Sequence, residues 1–370
     1  VLVGSQLVQR RPSCWGRLFV DGADMTWKMH TEEFVHWAKG YDGPKFHAVL
    51  SDPPYGLRFM GKDWDRVSAK EWGEATMPLL YPGAIVLMFG GTRTWHKLAT
   101  GMEEAGFEIW DTLMWLHGQG FPKAQAIDKL MKQGGNQWSG HKTAALKPAW
   151  EPVLCFRAPR QGKNYAELAM EYGSGALNVD GGRIGTTESF GGGGKVSSGY
   201  GRNREYQLGD GWQPGSSVGR YPANLVLDEE SAEMLDEQTG VLCSGQSKPE
   251  YRKRAANNVY GRYANDDMPI NVIGDKGGAS RFFYCAKASR SERGKENNHP
   301  TVKPITLTKW LATLLLPPDS AEPRRLLVPF AGSGSEMIGA IQAGWDEVVG
   351  VEQDSDYSKI ARCRLEHWKC

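Results

Sequence analysis

"LLVPFAGSGSEMIGAIQAGWDEVVGVEQD", residues 326–354, runs from an apolar stretch through a glycine loop into a helical pattern, then into a second apolar stretch. The pattern reads as strand, loop, helix and strand. The loop turns on Gly332 and Gly334, and the helix opens at Glu336. The first N–H groups of a helix have no partner inside it, and glycines let a ligand come close to them. Such a turn favours a polar or negatively charged ligand. The second strand ends in Glu352, an acid about 20 residues beyond the first glycine, the spacing at which nucleotide-binding α/β folds hold ribose hydroxyls. Met337 stands where a dinucleotide fold carries its third glycine.

Beyond Glu352 there is room for one helix, so this half-sheet is expected to be completed by strands from the other end of the chain. The N-terminal part supplies them. "GRLFVDG", "FHAVLSD", "GAIVLMFGG", "FEIWDTLMWLH" and "EPVLCFRAP" are short, β-rich apolar runs. "TEEFVHWAKGY" and "TRTWHKLATGMEEAGF" lie between them with apolar residues at helical spacing, the latter stopped by Gly106. This alternation predicts a mostly parallel sheet with helices on its faces. The order is permuted, with the ligand half last. The loops after "RRLLVP" and "FHAVL" should meet at the carboxyl ends of neighbouring strands, where open α/β sheets bind ligands.

The second of those loops is "SDPPYG", residues 51–56. An exocyclic amine on adenine or cytosine is a poor nucleophile because its lone pair is conjugated into the ring. Attack on a methyl group requires the nitrogen to turn toward sp³, with acceptors holding its hydrogens. Asp52 offers one acceptor and the Pro53 carbonyl, fixed by Pro54, a second. Tyr55 offers a face on which a base can stack once it has left the duplex. Positioning and hydrogen bonding carry such a transfer, so no metal is required.

A net charge of +1 over 370 residues rules out global attraction to a polyanion. Contact with nucleic acid must come from a local patch. Residues 159–298 have the texture for one: Gly, Arg, Asn, Ser and Tyr dominate and helical periodicity fades. "GALNVDGGRIG" is expected as a strand and turn, and "RYPANLVLDEESAEMLDEQTG" as a strand and helix. "KPEYRKRAANNVYGR" carries Lys248, Arg252, Lys253, Arg254 and Arg262 against Glu250, interleaved with tyrosines and asparagines suited to phosphates and base edges. Pro304 is expected in the first turn of the helix "PITLTKWLATLLL". The six cysteines form no CxxC pair, as in a reduced chain. Cys363, His367 and Cys370 share one helix face, a spacing better explained by packing than by zinc. No apolar stretch approaches the ~20 residues that span a bilayer.

Taken together, these residues resemble the β-class DNA amino-methyltransferases, which methylate adenine N6 or cytosine N4 with S-adenosylmethionine. "SDPPYG" is similar to the catalytic motif, "HPTVKP" (299–304) to the motif before the cofactor loop, and "PFAGSGS" (329–335) to that loop. "VE" (351–352) is similar to the ribose-binding acid and "GADM" (22–25) to an N-terminal segment near the cofactor adenine. "DTLMWLHGQGFPKAQAIDK", "TALKPAWEPVLCF", "GALNVDGGRIG" and "GRYPANLVLDE" resemble a phage and prophage branch.

The resemblance implies an α/β Rossmann-like methyltransferase sheet with helices on both faces, circularly permuted and carrying an inserted target-recognition segment. Residues 1–158 would be the catalytic half, 159–298 the DNA-reading insert and 299–370 the cofactor half. Asp52, Pro53, Pro54 and Tyr55 would be catalytic. Asp24, Lys303, Phe330, Ala331, Gly332, Ser333, Gly334, Ser335 and Glu352 would hold S-adenosyl-L-methionine, and Arg252, Lys253, Arg254 and Arg262 would contact double-stranded DNA. Val328 departs from the pattern, since the family often has Asp there. Asp52 points to adenine N6, because cytosine-N4 enzymes more often carry Ser at this position. Methylation of cytosine N4, of RNA or of a protein glutamine, and an inactive DNA-binding relative, are the competing readings. The resemblance implies a cytoplasmic protein, bacterial or phage-encoded, and leaves a homodimer and a separate restriction endonuclease open.

Neutralising Arg252, Lys253 and Arg254 together is expected to weaken DNA binding and flatten its dependence on salt, because fewer phosphates are neutralised. Gel-shift titrations over a salt series measure it. Unchanged slopes would make the cluster a solvated surface.

Overall fold

The computed structural model describes residues 16–20, 23–56, 68–118, 120, 124–131, 135–144, 146–185, 219–243, 276–287, 302–321 and 323–367. Residues 16–20, 23–25 and 135 are described by backbone alone. In chain order the elements are β1 (Gly16–Val20), β2 (Ala23–Thr31), α1 (Phe34–Lys39), β3 (Phe46–Ser51), α2 (Ala69–Thr76), β4 (Leu80–Phe89) and α3 (Trp95–Glu104). Then come β5 (Glu108–Leu116), α4 (Ile127–Leu130), β6 (Trp150–Arg157), α5 (Tyr165–Tyr172), β7 (Leu225–Asp228), α6 (Glu229–Thr239), β8 (Leu242–Cys243) and β9 (Lys276–Gly277). The last are β10 (Tyr284–Ala286), α7 (Ile305–Leu315), β11 (Arg325–Pro329), α8 (Ser335–Ala343), β12 (Glu347–Glu352) and α9 (Ser355–His367).

Among the described residues, ten strands form one sheet in the order β1-β2-β12-β11-β3-β4-β6-β5-β7-β10. From β2 to β4 every pair is parallel, β6 runs antiparallel between β4 and β5, and β1 pairs antiparallel with β2 at the edge. The two C-terminal strands are wedged between two N-terminal ones. Leu326 and Leu327 pair with Ala48 and Val49 on one side, and Glu352 pairs with Thr31 on the other. The permuted sheet expected from the sequence is therefore present.

Strands covered on both faces read as continuous apolar runs. In β3 and β11 every residue is buried. Alternate side chains feed two cores. Leu326, Val328 and Val348 face α7, α8 and α9, while Leu327, Val349 and Val351 face α1, α2 and α3. Met337, at the third-glycine position, is buried in the first of these cores.

Three local expectations are corrected. Helical structure does not end at 159: α5 forms because Asn164 accepts from the Glu167 N–H while the Glu167 carboxylate accepts from the Asn164 N–H. "GALNVDGGRIG" makes its turn, through the Gly182 N–H donating to the Asn178 and Val179 carbonyls, but among the described residues it pairs by a single bridge between Ile184 and Arg220. Pro304 caps α7 from just outside, with ψ 133°. The strand and helix expected in 220–240 are present as β7 and α6, and β7 and β10 lengthen the main sheet.

Helices α7 and α8 cross at Gly339. A Cβ there would stand 2.4 Å from Thr308 Oγ1 and 2.6 Å from the Lys309 nitrogen, a backbone atom that cannot swing aside. Gly339→Ala is expected to destabilise the fold by about 1–3 kcal/mol, the usual range for overpacking. Urea unfolding of the two chains side by side tests it; equal midpoints would mean that the helices part freely.

Candidate active site

Because β11 lies against β3, the loops leaving their carboxyl ends start side by side. Ser51, at the end of β3, donates its hydroxyl to the Pro329 carbonyl at 2.9 Å, fastening one loop to the other. The chain then turns through Asp52, Pro53, Pro54 and Tyr55. Thr94 donates to the Tyr55 carbonyl at 2.6 Å, and Gly91 leaves room for its ring: a Cβ there would stand 3.1 Å from Tyr55 Cδ2.

Asp52 is the centre of a buried charge cluster. Its Oδ1 accepts from the Tyr55 hydroxyl at 2.8 Å and its Oδ2 from Lys303 Nζ at 2.8 Å. Lys303 Nζ also lies 3.1 Å from the Tyr55 hydroxyl and 3.1 Å from Glu151 Oε2, and that Oε2 lies 3.1 Å from the same hydroxyl. The lysine side chain is 4% exposed and sits over the Phe89 ring at 4.7 Å. Burial alone would lower the Lys303 ammonium. The Asp52 and Glu151 carboxylates outweigh burial and hold it above the usual lysine range. Burial, then the charges of Asp52 and Glu151, push the Tyr55 hydroxyl well up, so it remains a neutral donor.

The glycine loop is built on left-handed backbone. Gly332 and Gly334 have φ 50° and 82°, and Phe330 reaches φ 56° without being glycine. That strain is held by the Phe330 ring, which packs on Phe34 and Trp72 with centroids 5.4 and 4.9 Å away. The Ala331 N–H donates to the Val351 carbonyl at 2.9 Å, which locks the loop to β12. Glu352 accepts from the Gly332 N–H at 2.8 Å through Oε2 and from the Asp354 N–H at 2.7 Å through Oε1. Burial raises its pKa, and those N–H groups oppose the rise. Each of its oxygens keeps a second lone pair for a ligand hydroxyl. Arg364 of α9 donates to the Ser333 carbonyl, to Ser333 Oγ at 2.9 Å and to Ser335 Oγ at 3.1 Å, fixing the turn from behind.

The structure thus brings together Asp52, Pro53, Pro54 and Tyr55 with Lys303, and Phe330 through Ser335 with Glu352. Lys303, expected among the cofactor residues, stands on the Asp52 carboxylate. Asp24 is a correction. It lies at the start of β2, opposite Phe19, whereas Thr31 at the far end of that strand pairs with Glu352. At about 3.3 Å per residue, the strand carries Asp24 roughly 20 Å from the glycine loop. Arg252, Lys253, Arg254 and Arg262 lie outside the described residues. Glu151, Glu336 and Arg364 went unrecognised in the sequence. Glu151 was hidden in the β-rich run "EPVLCF", and an arginine in a terminal helix carries no local signal. Among the described residues no group of three or more His, Cys, Asp or Glu is placed to hold a metal, and no helix is long and apolar enough to cross a membrane.

A permuted α/β sheet that presents a glycine loop with an acidic strand end beside a D-P-P-Y turn defines a class of nucleotide-handling enzymes. The family model described as DNA methylase matches residues 46–362, and the chain belongs to that family. A curated relative is the Type II methyltransferase M.HindIII of Haemophilus influenzae, 22% identical over 200 residues, covering 40% of this chain and 64% of the relative. The chain therefore spans less than two thirds of that relative's length. Among solved structures, M1.HpyAVI is 12% identical, with 92% of this chain and 100% of that chain covered and a TM-score of 0.45. The cytosine-N4-specific PvuII DNA methyltransferase is 12% identical, with 92% and 86% covered and a TM-score of 0.45.

Glu336, in the first turn of α8, is 4% exposed. Burial and then the Asp52 charge push its pKa up to about 7 from 4.5. The folded chain therefore keeps a proton that the unfolded chain has released between those values. The stability this group contributes is complete below about pH 4.5 and is lost as pH rises through about 7. Glu336→Gln is expected to gain on the wild type across that window, read from urea unfolding at stepped pH. Parallel curves would make Glu336 an ordinary carboxylate.

Proposed function

We propose that this chain is a DNA methyltransferase that uses S-adenosylmethionine to methylate the N6 amine of an adenine turned out of the duplex. The observation that carries the reading is the seating of β11 between β12 and β3, which sets the glycine loop beside Asp52. A methyl donor held by the one loop and an amine held by the other would then face each other.

The residues present fit the cofactor. Glu352 has lone pairs left for two vicinal hydroxyls, and Ala331, Gly332 and Gly334 leave backbone uncovered by large side chains along the turn. Ser333 and Ser335 are held in shape by Arg364. With Val328 where an acid often stands, Glu336 is a buried carboxylate in the loop's own helix. When bound, the cofactor supplies an electrophilic methyl on a sulfonium. The protein's part is to orient the acceptor. Asp52 and the Pro53 carbonyl take the amine's hydrogens, Pro54 stiffens that carbonyl, and Tyr55 flanks the base. Residues 159–298, with Arg252, Lys253, Arg254 and Arg262, would read the DNA. Aspartate at the first position of the motif favours adenine over cytosine.

Tritiated methyl transfer to DNA, RNA and protein, followed by mass spectrometry of digested nucleosides, tests the proposal. N6-methyladenine is the expected product. N4-methylcytosine alone would overturn the acceptor, and label in RNA or protein alone would overturn the substrate. Asp52→Ala should lower transfer by ~100-fold or more while leaving cofactor binding within a few-fold. Glu352→Ala should weaken cofactor binding by about 1.5–3 kcal/mol in calorimetric titration and leave DNA binding intact.

A further inference from the structure

An amine that accepts a methyl group becomes cationic and must release a proton, and the Asp52 side chain is only 16% exposed. Lys303 holds Oδ2, so an incoming amine meets Oδ1. That oxygen faces the Tyr55 hydroxyl, and beyond the hydroxyl lies Glu151 Oε2 at 3.1 Å. Glu151 belongs to β6 and opens outward: its side chain is 25% exposed, against 16% for Asp52 and 4% for Lys303. A neutral hydroxyl standing between two carboxylates, the outer one the more exposed, can pass a proton from one to the other.

We propose that Glu151 is the outlet for the proton lost by the target amine, with the Tyr55 hydroxyl as the relay from Asp52. This rests on the methyl-transfer reading above. The nitrogen lone pair forms the N–CH3 bond as the CH3–S bond breaks and its electron pair returns to sulfur. The N–H bond then breaks, leaving its pair on nitrogen, and the proton goes to Asp52 Oδ1. Once Oδ1 is protonated the Tyr55 hydroxyl turns from it to Glu151 Oε2; the Tyr55 oxygen then takes the Asp52 proton as its own O–H proton passes to Glu151 Oε2, and Glu151 releases it to water. Lys303 stays a cation throughout, holding both carboxylates in place. Among the described residues, the other charged groups facing the cluster are Glu336 from α8 and, behind it, Arg364 from α9.

Glu151→Gln keeps the size and the acceptor oxygen but cannot take a proton. Tyr55→Phe keeps the ring but breaks the relay. Each is expected to lower kcat on DNA by ~100-fold, the usual share of a general acid–base group, with the KM for S-adenosylmethionine within threefold of wild type. The Glu151→Gln/Tyr55→Phe double variant should be no slower than the worse single, because both break one path. Glu151→Asp should recover part of the rate, and the acid limb of kcat against pH should change shape in Glu151→Gln. Calorimetric cofactor binding reports whether each variant is folded, and Glu151→Asp with Tyr55→Phe keeps the test available if Glu151→Gln is not. Single variants with wild-type kcat, or a double variant whose losses multiply, overturn the relay while leaving methyl transfer standing. A wild-type chain that transfers no methyl to any DNA overturns both.

Discussion

The ion pair between Lys303 and Asp52 joins residues 251 positions apart, and the site takes its form from that join. Both groups are taken largely out of water, so each depends on the other: removing one partner of such a pair typically costs about 3–5 kcal/mol, because the survivor is left buried and charged. Tyr55, Glu151 and Phe89 close around the pair and have little freedom while it holds. The backbone approach to α7, the end of β3 and the start of β6 are thereby fixed to one point. A hydrophobic replacement could pack as well, but it could not present a carboxylate in a set direction.

The sheet makes that pair possible. With β11 and β12 between β2 and β3, the two halves of the site need no bridging domain. Their loops leave adjacent strands, and Ser51 ties them within one hydrogen bond of each other. The apolar faces of these strands are shared between two helical layers, so displacing the loops would disturb both cores. Strain at Phe330 is tolerable for the same reason: its ring is packed on Phe34 and Trp72, and the backbone must follow.

Much of this was legible in the sequence because the decisive signals are local. Glycines at 332 and 334, the acid at 352 and the D-P-P-Y turn each declare a backbone shape or a chemistry in a few residues. The permuted order is legible because the glycine loop and its acid follow the D-P-P-Y turn in the chain, and the sheet seats their strands between β2 and β3. The less legible features depend on partners far away in the chain. Glu151 is polar at the start of an apolar strand, and only the fold shows that it meets Tyr55 and Lys303. Asp24 was misplaced because a short motif does not show which end of a strand it occupies; the register of β2 against β12 does. α5 was missed because composition in 159–298 outweighed a capping pair of two residues, Asn164 and Glu167.

The place of β11 and β12 in the sheet also sets an order in time. Strands β2 and β3 are made before β11 and β12 and are not neighbours in the sheet, because the two strands that belong between them are encoded some 270 or more residues later. Until residues 325–352 have left the ribosome, the N-terminal strands wait with open edges, the condition under which chains pair wrongly or recruit chaperones. The same delay keeps the site unassembled: until then Asp52 has no glycine loop beside it.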